Sequence, residues 1–399
     1  MGAKPLLTRC GRWHRWTIQA VAVVACWTAA AAAQTSLTDT NGTSEGTAPA
    51  SASGIMQTGC SSCGAPALPS PGPIMGACGD GCVPGRTCND CCGGNTCFSR
   101  LLCGLNECLC CPDPCYEPHW IPLADSAFFS DAPRPKTQMR FRWDNGFDLK
   151  NPDRAEYFWA RIGVKGPDNV ARRVEYSDLN LYMEGAAGNF GFFVNSAYRE
   201  IDPQPALFEV GKPFPEESGF GDLYIGTKSL LLDCELLQLA FQFITYIPSG
   251  DFHKGLGTGH VSLEPSILFA LKLSPLTYLQ GQLSYWIPIG GDNNFEGNVF
   301  HCHFSLNRQL WCISPNLLLV GTLELNEWTP INGEYTSSDF LTPDGKKVGI
   351  GATAAMASGG PGLRLFICEK FDVGVGSAVA FTGDRWAEEL IRAEFRWRF

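Results

Sequence analysis

From residue 139 to the C-terminus, apolar and polar residues alternate along the chain with the period of two that is typical of β-strands. The pattern is clearest at the end of the chain, where Ile391, Ala393, Phe395, Trp397 and Phe399 share one face and Arg392, Glu394, Arg396 and Arg398 the other. Aromatic residues opposite arginines indicate a barrel strand in a membrane, with lipid outside and a polar lumen inside. The alternative is an amphipathic edge strand of a soluble sandwich.

Twelve segments with this alternation follow one another between residues 137 and 399. The stretches between them alternate in length: short at 186–189, 232–235, 274–275, 310–315 and 368–370, and long at 144–171, 201–219, 248–259, 288–297, 329–350 and 382–388. Outer-membrane barrels have short periplasmic turns, longer outer loops and an even number of strands. The sequence therefore predicts an all-β fold, a transmembrane antiparallel up-and-down barrel of about twelve strands over residues 137–399. The Gly- and Ala-rich stretch 351–362 fits either a strand or a loop.

The region before residue 137 is different. Residues 1–33 combine basic residues, an apolar stretch and a run of alanines, as in a secretory signal peptide, with a lipoprotein signal at Cys26 as the alternative. Residues 34–59 are rich in small and polar residues and are typical of a flexible linker. Residues 60–136 begin with thirteen of the 19 cysteines, and we expect this largely irregular segment to lie in the periplasm. Export favours disulfides there, although Cys60 and Cys63 also have zinc-ligand spacing.

The charge and composition indicate which classes of function and structure the sequence supports. The formal net charge of −10 gives no support for nucleic-acid binding. The 44 glycines and 27 prolines indicate many turns and few helices. We expect no cofactor and no bound metal. The expected partners are the lipid bilayer, the barrel-insertion machinery and a small-molecule solute.

Three consecutive stretches resemble a known family. Residues 221–232 read GDLYIGTKSLLL, residues 241–251 read FQFITYIPSGD, and residues 255–267 read GLGTGHVSLEPSI. This succession resembles the outer-membrane family named for the meta-pathway of phenol degradation. The resemblance implies a barrel that passes small, often apolar or aromatic compounds. We therefore expect a channel or transporter in the bacterial outer membrane, with a structural envelope protein that anchors the cysteine-rich segment as the alternative.

A second alternative is a lipid-modifying enzyme. His301, His303 and Ser305 share one strand face, so the histidines could bind a metal or one of them could activate the serine. The competing interpretation, which we adopt, is two lumen-facing histidines hydrogen-bonded to their neighbours. The sequence contains neither a Gly-x-Ser-x-Gly elbow nor a His-Glu-x-x-His motif, so no catalytic residue is assigned.

Six arginines are predicted to point into the lumen: Arg140, Arg142, Arg364, Arg392, Arg396 and Arg398. Because the first and last strands pair in a closed barrel, we expect a basic patch in the periplasmic half of one wall. The inward positions of strand eleven are Gly374, Gly376, Ala378 and Ala380, which should leave room for the long side chains. The patch could form salt bridges with Glu394, Asp372, Asp222 and Glu264, or it could act as an anion-selecting constriction.

Two further features have expected roles. Phe395, Trp397 and Phe399 resemble the C-terminal signal that barrel-insertion machinery is expected to recognise. Cys312 and Cys368 lie in predicted short turns, where they could form a disulfide or remain two free thiols.

Overall fold

The computed structural model describes residues 122–150, 165–167, 171–205, 215–234, 236–291, 295–314, 316–341, 347–350, 355–368, 370–383, 385 and 387–399. The predicted signal peptide, the linker and residues 60–121 of the cysteine-rich segment lie outside the described residues. Within the described ranges, no helix has both the length and the apolar character needed to cross a membrane.

The described chain is almost entirely β-structure. Its strands are β1 (Gln138–Leu149), β2 (Ala171–Ala187), β3 (Phe190–Pro205), β4 (Glu217–Phe220), β5 (Leu223–Asp233), β6 (Leu237–Ile247), β7 (Val261–Ser274), β8 (Thr277–Ile289), β9 (Val299–Ser314), β10 (Leu317–Pro330), β11 (Tyr335–Leu341), β12 (Lys347–Ile350), β13 (Met356–Ile367), β14 (Phe371–Ala380) and β15 (Glu389–Arg398). Two short 3-10 helices span Pro122–Asp125 and Phe252–Lys254. Strand β13 includes most of the stretch 351–362 whose state the sequence left open.

Thirteen of these strands form one antiparallel sheet that closes on itself. β1 pairs with β15 on one side and with β2 on the other, and the β2–β3 pairing completes the circle. β4 and β5 occupy one position in the wall, because both pair with β3 on either side of a break at Gly221 and Asp222. The wall therefore has twelve positions, and the predicted twelve-stranded barrel is confirmed. β11 and β12 form a separate hairpin in the connection between β10 and β13.

The faces of the wall are the reverse of those of a soluble protein. Large apolar side chains point outward and are exposed, such as Leu179, Leu323 and Val375, at 53, 60 and 54 %. Polar side chains point inward and are buried, such as Gln280 and Asn326, both at 0 %. An apolar exterior around a polar interior, with every neighbouring strand paired, is the arrangement that a lipid bilayer requires.

The C-terminal residues complete the outer surface beside the first strand. Trp397 and Phe399 are exposed, with their ring centroids 4.5 Å apart, and Phe371 of β14 stacks 6.0 Å from Trp397. The Phe399 amide donates a hydrogen bond to the carbonyl of Thr137 at 3.1 Å. The last residue of the chain is therefore bound to the residue that precedes β1.

Candidate functional site

Residues 122–136, called here the internal segment, lie inside the barrel rather than outside it. Asp125, Ser126, Ala127 and Phe128 are at most 4 % exposed and contact side chains from several strands. The predicted domain boundary at residue 137 therefore matches the start of β1. It does not mark where the chain enters the barrel, because the preceding residues already lie in the lumen. The segment was missed because it has no strand or helix periodicity, and periodicity is the main signal that a sequence gives.

Arginines of the wall bind the backbone carbonyls of the internal segment. Arg364 donates from Nε to the Ser126 carbonyl at 3.0 Å and from a terminal nitrogen to the Ala127 carbonyl at 3.3 Å. Arg396 donates to the carbonyls of Asp125 at 2.6 Å and Ala127 at 3.0 Å. Irregular backbone is tolerated in a buried lumen when its polar groups find partners, and charged donors make the stronger bonds.

Amide N–H groups of the same segment find acceptors on β8 and β10. Glu324 of β10 accepts from the backbone N–H of Phe128 at 2.7 Å and of Phe129 at 2.9 Å. Gln282 of β8 accepts from the N–H of Asp131 at 3.0 Å. The internal segment is thus held by side chains on several strands and is not a strand of the sheet itself.

Phe128 fills a recess made by glycines on β13 and β14. A Cβ atom added to Gly362, Gly374 or Gly376 would lie 2.6, 2.7 or 2.9 Å from the nearest atom of the Phe128 ring. The Arg364 guanidinium lies over the other part of the ring, 4.3 Å from its centroid. The inward glycines therefore make room for an aromatic ring of the internal segment, and not for the long arginine side chains as predicted. The inward-facing glycines on neighbouring strands were the sequence signal that another part of the chain fills this part of the lumen.

The structure divides the six predicted arginines into groups. Arg364, Arg396 and Arg398 share the acidic partners Asp372, Glu394 and Asp125. Arg392 and Arg142 both pair with Asp144, and Arg140 pairs with Asp131 of the internal segment at 2.8 Å. The six side chains thus lie on one part of the wall, formed by β13, β14, β15 and β1, where Arg140 lies directly opposite Arg396 and each arginine has an acidic partner.

Two of the four predicted acidic partners have other roles. Asp222 accepts hydrogen bonds from the N–H groups of Gly250 and Thr258, at 2.9 and 2.8 Å, and so fastens the loop between β6 and β7. Glu264 accepts from the Tyr246 hydroxyl at 2.6 Å and lies 3.4 Å from His301. Their proposed pairing with the arginines is therefore wrong, because local donors already occupy both carboxylates.

The two aspartates of the internal segment are held in the charged form. Burial raises the pKa of Asp125, but Lys136, Arg396 and Arg398 lower it more, so this pKa lies well below the usual carboxyl range. Burial also raises the pKa of Asp131, and Arg140 and Lys228 again outweigh it. Both carboxylates therefore keep their charge at neutral pH.

A cavity of about 270 Å³ lies on the long-loop side of the internal segment, with Phe128, Phe129 and Asp131 at its floor. Its wall includes Arg142, whose side chain is 26 % exposed, and an aromatic group from β5, β6 and β8. This aromatic group consists of Tyr224, Tyr246 and Trp286, with successive ring centroids 5.3 and 4.2 Å apart. The cavity thus combines a cation with apolar rings.

The histidine pair lines the same cavity but forms no catalytic arrangement. His301 Nδ1 and His303 Nε2 are 3.1 Å apart, and His303 Nδ1 is 2.8 Å from the Asn326 side-chain oxygen. Ser305 donates to the side-chain oxygen of Asn307 at 2.7 Å, so its hydroxyl is directed away from the histidines. In the part of the chain that the structure describes, no group of three or more His, Cys, Asp or Glu residues could hold a metal ion.

The cysteines at the short-turn rim do not pair as predicted. Cys368 is a free, exposed thiol, whereas Cys312 is disulfide-bonded, and so is Cys234 in the turn after β5. Cys312 lies opposite Leu318 of β10, which lies opposite Phe366 of β13. Two strand spacings of about 4.8 Å separate Cys312 from β13, which exceeds the Cα separation of about 7 Å that a disulfide permits. Both alternatives offered by the sequence, a Cys312–Cys368 disulfide and two free thiols, are therefore wrong.

Comparison with known proteins identifies fold neighbours. No protein-family model matches the sequence, and no curated protein matches it. An outer membrane channel from Pseudomonas putida F1 is similar in structure, with a TM-score of 0.44, 11 % sequence identity, and coverage of 69 % of this chain and 99 % of that one. The NanC porin (TM-score 0.36, 8 % identity, coverage 66 and 98 %) and LpxR from Salmonella typhimurium (0.37, 8 %, 66 and 100 %) are also similar. At these values the likeness carries no argument about function.

Proposed function

We propose that this protein is a bacterial outer-membrane channel for small molecules. The observation that carries the proposal is a polar lumen with a cavity of about 270 Å³, next to an internal segment held by side-chain hydrogen bonds. Bonds of this kind can be broken without disturbing any pairing of the wall. The internal segment therefore acts as a removable obstruction between the cavity and the short-turn rim.

The proposal includes the location. The short-turn rim faces the periplasm, together with the cysteine-rich region that precedes the internal segment, and the long loops face outward. The barrel-insertion machinery recognises the strand that ends at Phe399. The resemblance to the family of the meta-pathway of phenol degradation supports a small solute, and its finer assignment is part of this proposal.

A second candidate function is a sealed barrel that anchors the cysteine-rich region. The burial of Ser126 and Ala127 in the lumen favours it, because an occupied lumen is what an anchor without transport would have. Catalysis is not proposed, since the Ser305 hydroxyl bonds to Asn307 rather than to a histidine.

Liposome swelling separates the two functions. The purified full-length protein, inserted into liposomes, should admit a small neutral sugar such as arabinose faster than liposomes containing heat-denatured protein. A panel of sugars of increasing size should show a cut-off. No swelling with any solute from the wild-type protein, together with swelling from a variant whose internal segment has been released, would establish the sealed anchor instead.

A further inference from the structure

Arg142 differs from the other two arginines that line the cavity. Arg392 forms two hydrogen bonds with Asp144, at 2.7 and 3.0 Å, and a third with the Phe128 carbonyl. Arg140 bonds to Asp131 and lies over the ring of Tyr182, 3.6 Å from its centroid. Among the described residues, Arg142 has one ion pair, through Nε to Asp144 at 3.1 Å. Its terminal nitrogens are therefore available to an acceptor in the cavity.

The two carboxylates that line the cavity, in contrast, already have donors. Asp131 accepts from Arg140 at 2.8 Å and from Gln242 at 3.3 Å. Glu264 accepts from Tyr246 and lies against His301. A cationic ligand would have to displace one of these partners, whereas an anionic ligand meets an open guanidinium. A planar guanidinium fits a carboxylate, which it can bind through two parallel hydrogen bonds.

An apolar surface stands across the lumen from Arg142. β1 and β8 are six positions apart in either direction around the wall, so Trp286 and Arg142 belong to opposite sides. Tyr246 stacks on Trp286 with the ring planes inclined by 30°. A flat apolar body between these rings and Phe129 would gain aromatic contacts in addition to the burial of its apolar area.

The volume limits the size of the ligand. Pockets for drug-sized ligands measure roughly 300–1,000 Å³, and this cavity, at about 270 Å³, is below that range. We propose that it binds a small aromatic carboxylate with one ring, with the carboxylate on Arg142 and the ring against Tyr246 and Trp286. This inference rests on the proposed channel function and names the class of solute for that same lumen.

Calorimetry with benzoate tests the inference on the full-length protein in detergent. Arg142→Gln should weaken benzoate binding by at least about tenfold, because a desolvated charge pair loses one partner. Arg142→Lys keeps the charge and should bind within several-fold of wild type. Arg308→Gln, at an exposed position on β9, is the matched control and should bind as wild type does. Benzylammonium, which has the same ring and the opposite charge, should not bind.

Permeation in liposomes separates this inference from the channel function. Wild type should pass benzoate faster than benzylammonium, and Arg142→Gln should remove that preference while arabinose still enters. Equal benzoate binding by wild type and Arg142→Gln, with arabinose permeation intact, would overturn the carboxylate site and leave the channel. Benzoate binding that depends on Arg142, without permeation of any solute, would overturn the channel and leave the binding site.

Discussion

Replacing Phe128 by Ala should release the internal segment from the lumen. The ring is 4 % exposed, lies in the glycine recess of β13 and β14, and has the Arg364 guanidinium 4.3 Å from its centroid. Truncating a buried Phe costs about 3–5 kcal/mol, and the lost cation–π contact adds to that figure. A loss of about 4 kcal/mol shifts the equilibrium between the docked and released segment roughly a thousandfold towards release.

Single-channel recording in planar bilayers measures the outcome. The Phe128→Ala variant should show a larger mean conductance than wild type, and trypsin should cleave after Lys136, whose side chain in the docked state is bound to Asp125 at 2.6 Å. Phe220→Ala is the control, because this ring is 68 % exposed on β4 and its loss should change neither result. A conductance equal to that of the control, with Lys136 still protected, would refute the role given to the ring.

Four further outcomes are expected. Gly376→Leu should also raise conductance, because its Cβ would lie 2.9 Å from the Phe128 ring. Gly185→Leu is the control and should not raise it, because Gly185 has open space around it, and equal currents from the two variants would contradict this prediction. The docked pKa of Asp131 lies below that of a free carboxyl, about 3.9, so the contribution of Asp131 to docking should be constant from pH 8 to 5 and be lost as the pH falls below about 4. Fluorescence of a labelled segment in wild type and Asp131→Asn measures this contribution as the difference between the two, and a difference that grows on acidification would mean that the sign is wrong. Deleting Phe399 should lower outer-membrane levels in fractionated cells, and unchanged levels would count against an assembly signal. Cys368 should be alkylated without reductant, and peptide mapping would reveal a linked peptide if it were paired.

The barrel could be predicted because side chains in its wall alternate between lipid and lumen, and the sequence alternates between apolar and polar residues with the same period. β15 alternates Arg392, Glu394 and Arg396 with apolar residues, and the structure places the two sets on opposite faces. The alternation of short and long connections also predicts the number of strands, because each strand crosses the bilayer once and successive connections therefore lie on opposite sides of it. β13 was harder, because Gly359 and Gly360 carry no hydrophobic contrast between its faces.

The contents of the lumen could not be predicted in the same detail. The inward-facing polar residues of a barrel depend on what occupies its lumen. Here the occupant is the internal segment, which has no periodic pattern in the sequence. The sequence predicts arginines that point into the lumen with Glu394 and Asp372 as partners, and both carboxylates pair with arginines in the structure. The backbone groups of residues 125–131 were missed as partners, because hydrogen bonds from side chains to irregular backbone leave no periodic trace. Glu324, which binds two backbone N–H groups, was missed for the same reason.

The position of the internal segment has a consequence for how the protein assembles. It is synthesised before β1, yet the groups that bind it come from β8, β10, β13 and β15, the last of which ends the chain. A chain that has not yet incorporated β15 lacks Arg392 and Arg396 and therefore holds the segment through fewer hydrogen bonds. Filling the lumen and closing the wall are therefore linked steps, and each must stabilise the other by the same free energy. The internal segment therefore stabilises the correct register of closure, because only this register places the arginines of β15 next to its backbone carbonyls.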